Sequence, residues 1–186
     1  MSLSESLQDV IAALRGGGVI AYPTEAVWGL GCDPANAAAV ERLLALKQRD
    51  MAKGLILVAA DLAQVESLLH GLDSQQRQRV LASWPGPHTW VVPVSADFPL
   101  WVRGQHDSVA LRVSAHAGVQ ALCRAFGGPL VSTSANRSGA APALDEAGVR
   151  QQFGGALAAI FPGALGGDPT PTEIRDALSG AVLRAR

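Results

Sequence analysis

Short apolar runs alternate with helical hydrophobic patterns along most of this chain of 186 residues. The clearest run, residues 55–58, is four consecutive apolar residues after Gly54, which is typical of a strand buried on both faces. Because helices must cover a sheet of such strands, the alternation predicts an α/β fold. Some predicted strands have no helix after them, so we expect a mixed sheet, twisted and open, flanked by helices. The length suits one core, and a single domain over residues 1–186 is predicted.

The helical and extended segments can be placed from periodicity and from residues that start or end helices. The predicted helices cover residues 7–14 after a cap at Ser4, 33–47 from Asp33-Pro34, 62–69 after Asp61, 74–81, 115–126 after Ser114, and 145–153. The predicted strands cover residues 19–22, 55–58, 89–94, 108–113, 130–132, 157–161, 172–176 and 181–184. Gly29 and Gly31 are expected to permit a loop with unusual backbone angles. Residues 95–107 are expected to form a surface loop.

Composition excludes several classes of protein. With 48% hydrophobic and 17% charged residues, the chain is globular rather than disordered. Its longest apolar run, residues 55–60, is too short to cross a membrane, and its amino terminus has no secretory pattern. Two cysteines are too few for a disulfide framework, which fits a cytoplasmic protein, and the histidines lack the spacing of a zinc site, so no protein metal site is predicted. A net charge of −1 argues against a protein that binds nucleic acid through bulk charge.

Three cations lie close together at the end of a predicted helix. They are Lys47, Arg49 and Lys53, and they stand just before the buried strand at residues 55–58. Ligands of open α/β sheets sit beyond strand ends, so the cluster is a good place to hold an anion. The alternative is that the cations only offset the dipole at the carboxyl end of the helix. Charge alone is equally consistent with both interpretations.

Other strands end in polar side chains that a core does not need. Residues 132–136, Ser-Thr-Ser-Ala-Asn, offer small hydroxyl and amide groups that suit phosphate or ribose oxygens, although a helix cap or a turn would also use them. Arg112 falls within an apolar strand, where a buried guanidinium needs an anionic partner. That partner is either a ligand or a carboxylate of the protein. Thr24 and Thr172 stand in two similar Pro-Thr-Glu segments.

Six motifs in order resemble the YrdC-like threonylcarbamoyl-AMP synthase family, in its short single-domain bacterial form. They are residues 22–31 (YPTEAVWGLG), 46–49 (LKQR), 53–57 (KGLIL), 84–89 (WPGPHT), 111–113 (LRV) and 132–139 (STSANRSG). The resemblance runs nearly end to end and implies a YrdC-like fold. Asp50 departs from the family pattern, because proline usually follows the arginine of the second motif.

The resemblance implies a reaction. L-Threonine, bicarbonate or carbon dioxide, and ATP give threonylcarbamoyl-adenylate and pyrophosphate, with magnesium expected to bind through the phosphates. A downstream enzyme complex, the expected partner, then transfers the threonylcarbamoyl group to an adenosine of certain tRNAs. A weak direct contact with tRNA is compatible with the resemblance, and no contact with a membrane is expected.

The resemblance also implies site residues by position. The residues that surround the ATP phosphates, and are assigned to catalysis, are Lys47, Arg49, Ser134 and Asn136. The residues that hold threonine are Thr24, Arg112, Ser132 and Thr172. The further nucleotide contacts are Lys53, Ser108 and Arg184.

A competing hypothesis is a non-catalytic protein that binds double-stranded RNA or tRNA and assists ribosome assembly. The basic cluster would then face a phosphate backbone, and binding would weaken steeply as salt is added. A transferase that uses carbamoyl phosphate is a third alternative, but the chain has no acylphosphatase-like or zinc-finger segment. The enzyme that makes threonylcarbamoyl-adenylate is our main interpretation.

Overall fold

The computed structural model describes residues 6–168, 170 and 172–185. The strands are β1 (Ile20–Pro23), β2 (Trp28–Cys32), β3 (Ile56–Ala59), β4 (His88–Pro93), β5 (Ser108–Val113), β6 (Leu130–Ser134), β7 (Ala159–Ile160), β8 (Glu173–Asp176) and β9 (Val182–Arg184). The helices are α1 (Leu7–Arg15), α2 (Ala37–Lys47), α3 (Ser74–Leu81), α4 (Leu100–Arg103), α5 (Ala117–Phe126) and α6 (Glu146–Phe153). Within these described ranges, no helix has the length and apolar character needed to cross a membrane.

The strands form one sheet in the order β7-β1-β2-β6-β3-β5-β4-β8-β9. The pairs β1–β7, β3–β5 and β4–β8 are parallel. The other neighbouring strands of the described sheet are antiparallel. The predicted α/β class, with an open mixed sheet flanked by helices, is therefore confirmed. That residues 1–186 form a single domain stays a prediction.

Successive side chains of a strand point to opposite faces of the sheet, so neighbouring side chains of β3 lie in different environments. Leu57 packs in the larger of two apolar clusters, while Val58 packs in the smaller one. Helices α1 and α5 cover the smaller cluster through residues such as Leu14 and Leu122. Ile56 shares the face of Val58 but lines an open pocket, to which no described residue of α1 or α5 contributes. The pocket therefore lies on the part of this sheet face that α1 and α5 leave uncovered.

The loop predicted at Gly29 and Gly31 is wrong, because both residues lie in β2, which is buried along its length. Neither glycine has a positive φ. The glycines are needed for space: a Cβ atom at Gly31 would lie 2.8 Å from Cε1 of Tyr22 and 2.7 Å from the carbonyl oxygen of Val131. The fully buried ring of Tyr22, on neighbouring β1, lies over both glycines. A strand rich in glycine lacks the apolar alternation on which strand prediction depends.

Several predicted helix starts shift because a different residue provides the cap. α1 begins after Ser6, and α2 begins after Asn36 rather than at residues 33–34, since each of these side chains accepts a backbone hydrogen bond from the first turn. α5 is capped by His116 rather than Ser114, whose hydroxyl is used elsewhere. The helices predicted at residues 74–81 and 145–153 are confirmed.

Other differences concern short segments. The predicted cap at Ser4 lies outside the described residues. The helix predicted at residues 62–69 is two short 3-10 segments instead, and Asp61 makes no capping hydrogen bond. The loop predicted at residues 95–107 contains α4, and the strand predicted at residues 157–161 is reduced to β7. Segments this short carry too few residues for a periodic pattern to define their type.

We expect Gly31→Ala to destabilise the protein by about 1–3 kcal/mol, because the new methyl group would overlap a strand carbonyl that cannot move without disturbing the sheet. Urea unfolding measures the change in free energy. Gly128→Ala is the matched control, since a Cβ atom there would meet nothing within 4 Å. Equal unfolding midpoints for the two variants would contradict the close approach of Tyr22 to β2.

Candidate active site

A pocket of about 670 Å³ lies on the uncovered part of the sheet face that carries Ile56. Its volume falls in the range of sites that bind small molecules and cofactors. Nine of the eleven site residues predicted from the sequence line it: Thr24, Arg49, Lys53, Ser108, Arg112, Ser132, Ser134, Thr172 and Arg184. Lys47 and Asn136 do not line the pocket, but both contact Ser134.

Three adjacent strands bring the polar residues of the pocket together. In β6, Ser132 and Ser134 lie on the same face, and Ser132 stands opposite Ile56 of β3. On the other side of β3, Ile56 stands opposite Ala110 of β5. Arg112 lies two residues further along β5 and therefore shares the face of Ala110. The sheet, rather than any single loop, assembles the site.

Lys47, the last residue of α2, is buried, with 4% of its surface exposed. Its ammonium group donates hydrogen bonds to the carbonyl oxygen of Ser134 and to the carbonyl and side-chain oxygens of Asn136, the last two at 2.9 and 3.4 Å. The hydroxyl of Ser134 donates to the same side-chain oxygen at 2.6 Å. Burial, and then the charge of Arg49, lower the pKa of Lys47 to about 8. Lys47 therefore holds the loop after β6 and places a positive charge behind it.

The chain turns away from α2 at Gln48, whose φ of 54° lies in the left-handed region. Arg49 follows this turn, lines the pocket, and donates from Nη2 to the carbonyl oxygen of Gly54 at 2.9 Å. Nε of Arg49 is buried and has no hydrogen-bond partner among the described residues, and burial lowers the pKa of the guanidinium. Asp50 caps the short turn that leads to Lys53, because its side chain accepts a backbone hydrogen bond two residues on at 2.9 Å.

The buried guanidinium of Arg112 has a carboxylate partner within the protein. Nη1 donates to Oε2 of Glu25 at 2.7 Å, and the hydroxyl of Ser114 donates to the other carboxylate oxygen at 2.7 Å. Burial raises the pKa of Glu25, but the charge of Arg112 and the Ser114 hydrogen bond outweigh it, so the pKa lies below its usual value. Nε of Arg112 is buried and unpaired in the part of the chain that the structure describes. Arg112 thus has a protein partner, while its contact with a ligand stays a prediction.

Arg184 lies close enough to two other guanidinium groups of the pocket to be affected by their charges. Burial, followed by the charges of Arg112 and Arg49, lowers the pKa of Arg184. Arg184 also donates from Nη2 to the carbonyl oxygen of Thr172 at 2.7 Å, which ties β9 to the residue before β8. Because like charges in a partly buried pocket repel one another, a bound anion relieves the repulsion. The pocket therefore suits a ligand with several negative charges.

Sequence reasoning assigned no role to four polar residues at the site, which are Glu25, Arg103, His106 and Asp176. Arg103 lies in α4 and donates to three backbone oxygens of the loop around it, which orders a segment expected to be irregular. No motif or periodicity marks it, since its role depends on the path of the loop. Glu25 did have a signal, because it directly follows Thr24 in the first motif.

Oxygen atoms and the imidazole of His106 are the groups of the pocket wall that could bind a metal ion. Asp176 is the one carboxylate among the described lining residues, and Ser108 and Thr172 offer hydroxyls. Within the described ranges, no three or more His, Cys, Asp and Glu side chains are grouped so that they could hold a metal ion. Magnesium needs few protein ligands when phosphates and water supply the others, so this donor set fits a magnesium ion carried by a phosphate ligand.

The fold and the pocket define a class of protein: an open, mixed α/β sheet with a cationic pocket for a small anion of high charge. Residues 12–185 match the Sua5/YciO/YrdC family, which is described as telomere recombination. The chain belongs to this family, and the resemblance predicted from the sequence is confirmed.

Individual relatives are similar over nearly the whole chain. The threonylcarbamoyl-AMP synthase of Chromohalobacter salexigens is 56% identical over 181 residues, which are 97% of each chain. That of Halorhodospira halophila is 57% identical over 173 residues, 93% of this chain and 91% of the relative. The solved structure of P. abyssi Sua5 complexed with L-threonine is 29% identical, with a TM-score of 0.85 over 91% of this chain. This chain spans only half of that Sua5 chain.

We expect Lys47→Met to lower the free energy of unfolding by about 2 kcal/mol, because three oxygen atoms of Ser134 and Asn136 would lose their buried donor. Urea unfolding measures the loss. Lys53→Met provides the control at the second lysine of the chain, which is exposed. A loss of the same size in both variants would show that Lys47 does not hold the loop.

Proposed function

We propose that this chain is a threonylcarbamoyl-AMP synthase. It joins L-threonine, bicarbonate or carbon dioxide, and ATP into L-threonylcarbamoyladenylate and releases pyrophosphate. The observation that carries the proposal is that one pocket is lined by members of both predicted residue sets, one suited to phosphates and one suited to an amino acid. Relatives that bear the name of this activity, at 56% and 57% identity, support it. The Sua5 structure complexed with L-threonine supports threonine as the amino acid.

The nucleotide binds against one set of these residues, which are Arg49, Lys53, Ser108, Ser134 and Arg184. Arg49 offers a buried Nε that has no partner among the described residues and that a phosphate oxygen would satisfy. Lys47 and Asn136 act from behind, because they hold Ser134 at the end of β6 and the loop that follows it. The charge of Lys47 still favours a phosphate on the other side of this loop.

Threonine binds against the other set, which is Thr24, Arg112, Ser132 and Thr172. Arg112 binds the substrate carboxylate through N–H groups that Glu25 does not use. The hydroxyl of Thr24 already donates to the carbonyl oxygen of Val27 at 2.6 Å, so it is left to accept a hydrogen bond from the hydroxyl of threonine. The substrate is then held at both its carboxylate and its side chain.

The chemistry depends on positioning and on the stabilisation of charge. The neutral amine of threonine adds to carbon dioxide and releases a proton to solvent, and an oxygen of the resulting N-carboxylate attacks the α-phosphorus of ATP while the bond to pyrophosphate breaks. Ser132 and Ser134 stand about 7 Å apart along one strand face, so a carboxylate formed beside one lies within reach of a phosphate beside the other. Negative charge grows on the departing pyrophosphate, where Arg49 and Lys53 stabilise it. No side chain of the protein has to act as a nucleophile.

The cofactor and partners belong to the same proposal. Asp176, the one carboxylate of the described pocket wall, would assist a magnesium ion that the phosphates and water would mainly hold. The product is a reactive mixed anhydride, so a downstream complex that transfers the threonylcarbamoyl group to tRNA has to receive it. A weak contact with tRNA would assist this transfer. The cytoplasm, where ATP, threonine and tRNA occur together, is the proposed location.

The competing hypothesis of a non-catalytic RNA-binding factor has less support. A protein that binds the phosphate backbone of RNA presents its cations on an exposed face. Here, Arg49 and Arg112 each have a buried donor nitrogen, and both line a pocket of small-molecule size. This arrangement suits a small anion better than a double helix.

Release of pyrophosphate from ATP is expected to require threonine and bicarbonate together, because the attacking carboxylate is made from both. The measurement is a pyrophosphate assay in which each substrate is omitted in turn. Serine in place of threonine tests the contribution of the substrate methyl group. Equal release of pyrophosphate with threonine and bicarbonate both omitted would identify a plain ATPase and would contradict the proposal.

Arg49→Ala is expected to lower turnover about a hundredfold while weakening ATP binding much less, because the charge that Arg49 stabilises is greatest in the transition state. Steady-state turnover and calorimetric titration with ATP measure the two effects. Arg15→Ala is the control, since Arg15 is exposed at the end of α1. If the two variants behave alike, Arg49 only offsets a helix dipole, and the phosphates bind elsewhere.

A further inference from the structure

Glu25 is a buried acidic residue that does not line the pocket. It lies in the turn between β1 and β2, directly after Thr24, which does line the pocket. Both carboxylate oxygens have protein partners: one accepts from Nη1 of Arg112 and the other from the hydroxyl of Ser114, each at 2.7 Å. Apart from its charge, Glu25 can therefore act on a ligand only through these partners.

The backbone of this turn is held as well as the side chain. The carbonyl oxygen of Thr24 accepts a hydrogen bond from the N–H of Gly166 at 3.0 Å. The carbonyl oxygen of Glu25 accepts one from the N–H of Asp168 at 2.9 Å. Glu25 thus reaches Arg112 from a fixed position, and a change in its side chain would not be absorbed by a mobile backbone.

Arg112 has more N–H groups than Glu25 uses. A guanidinium carries five N–H groups in a planar fork, and Glu25 takes one of those on Nη1. The buried Nε of Arg112 has no partner in the described chain. Because the group is planar and rigid, a fixed Nη1 also fixes the direction of the remaining donors. The orientation of Arg112 then decides whether a carboxylate in the pocket meets a fork or a single donor.

We propose that Glu25, supported by Ser114, is a positioning residue for the amino-acid substrate. It holds Arg112 in the orientation that receives the substrate carboxylate. The inference rests on the proposed function, since it takes threonine as the ligand of Arg112. It also explains why a buried ion pair stands directly beneath a binding pocket, where an apolar pair would serve stability as well.

If Glu25 acts by positioning Arg112, removal of its carboxylate should weaken the binding of threonine. If Glu25 acts only through its negative charge, the same change should strengthen that binding. Removing the negative charge of Glu25, with nothing else changed, would make the pocket more positive and would strengthen the binding of anions. Removing the acceptor for Nη1 would instead release Arg112, which the nearby charge of Arg184 repels. Positioning therefore predicts weaker binding of threonine after a substitution that raises the net positive charge of the site.

The test compares Glu25→Gln with the wild-type protein in pyrophosphate release that depends on threonine and bicarbonate. An amide places N–H groups where Arg112 or Ser114 needs an acceptor, so KM for threonine is expected to rise about tenfold to a hundredfold, the range for a lost charged hydrogen bond. KM for ATP is expected to stay nearly the same, which a general loss of structure would not allow. Glu25→Asp keeps the charge on a shorter side chain and should recover part of the loss.

Glu66→Gln is the matched control, because it removes the carboxylate of another arginine ion pair, Arg77–Glu66 at 2.6 Å, away from the pocket wall. Both KM values are expected to be unchanged in this variant. If Glu25→Gln does not fold, Ser114→Ala replaces it, since this variant keeps the ion pair and removes one support of the carboxylate. The expected result is then a smaller rise in KM for threonine alone.

The outcomes separate this inference from the proposed function. A wild-type protein without threonine-dependent release overturns the proposed function and the inference with it. An active wild-type protein, together with an unchanged or lower KM for threonine in the folded variant, overturns the inference and leaves the function standing. A rise in both KM values by the same factor also overturns it, because Glu25 would then support the whole site and not Arg112.

Discussion

The alternation of side chains along a strand is the constraint on which this site depends. In β3, Leu57 enters the apolar core while Ile56 faces the pocket. Because β6 and β5 lie on either side of β3 in fixed register, the same alternation brings Ser132 and Arg112 to the pocket face. A slip of one residue in either strand would turn these polar groups into the core. The register that stabilises the sheet is therefore also the register that assembles the site.

A second layer of polar residues lies behind those that line the pocket. Lys47 holds Ser134 at the end of β6, and Glu25 holds Arg112. Charged groups are costly to bury unless they are paired or hydrogen-bonded, and both of these groups have such partners. Their cost is offset within the fold, which leaves the pocket-lining groups oriented before a ligand arrives. Preorganised groups of this kind stabilise a transition state without having to rearrange during the reaction.

The sequence predicted the α/β class, and nine of the eleven site residues that it indicated line the pocket, because buried strands and family motifs are local features of the chain. It missed β2, since a strand built to accommodate the ring of Tyr22 has glycine where a periodic pattern needs apolar side chains. It indicated Lys47 for its charge, but not the hydrogen bonds that this side chain donates to the backbone of Ser134 and Asn136. The direction of that side chain depends on the end of β6, 87 residues further along, which spacing within the helix cannot reveal. The pairing of Glu25 with Arg112, also 87 residues apart, has no local signal for the same reason.

These two contacts have a consequence for how the protein becomes active. Each closes a long loop of the chain, and such closures cost entropy that local structure alone does not repay. A chain that has formed only its local helices and turns has neither the loop held by Lys47 nor the oriented Arg112. A ligand that needs both binds only the fully folded chain and shifts the folding equilibrium toward it by mass action. A bound substrate would thereby raise the free energy of unfolding, so the protein is expected to be hardest to unfold where its substrates are abundant.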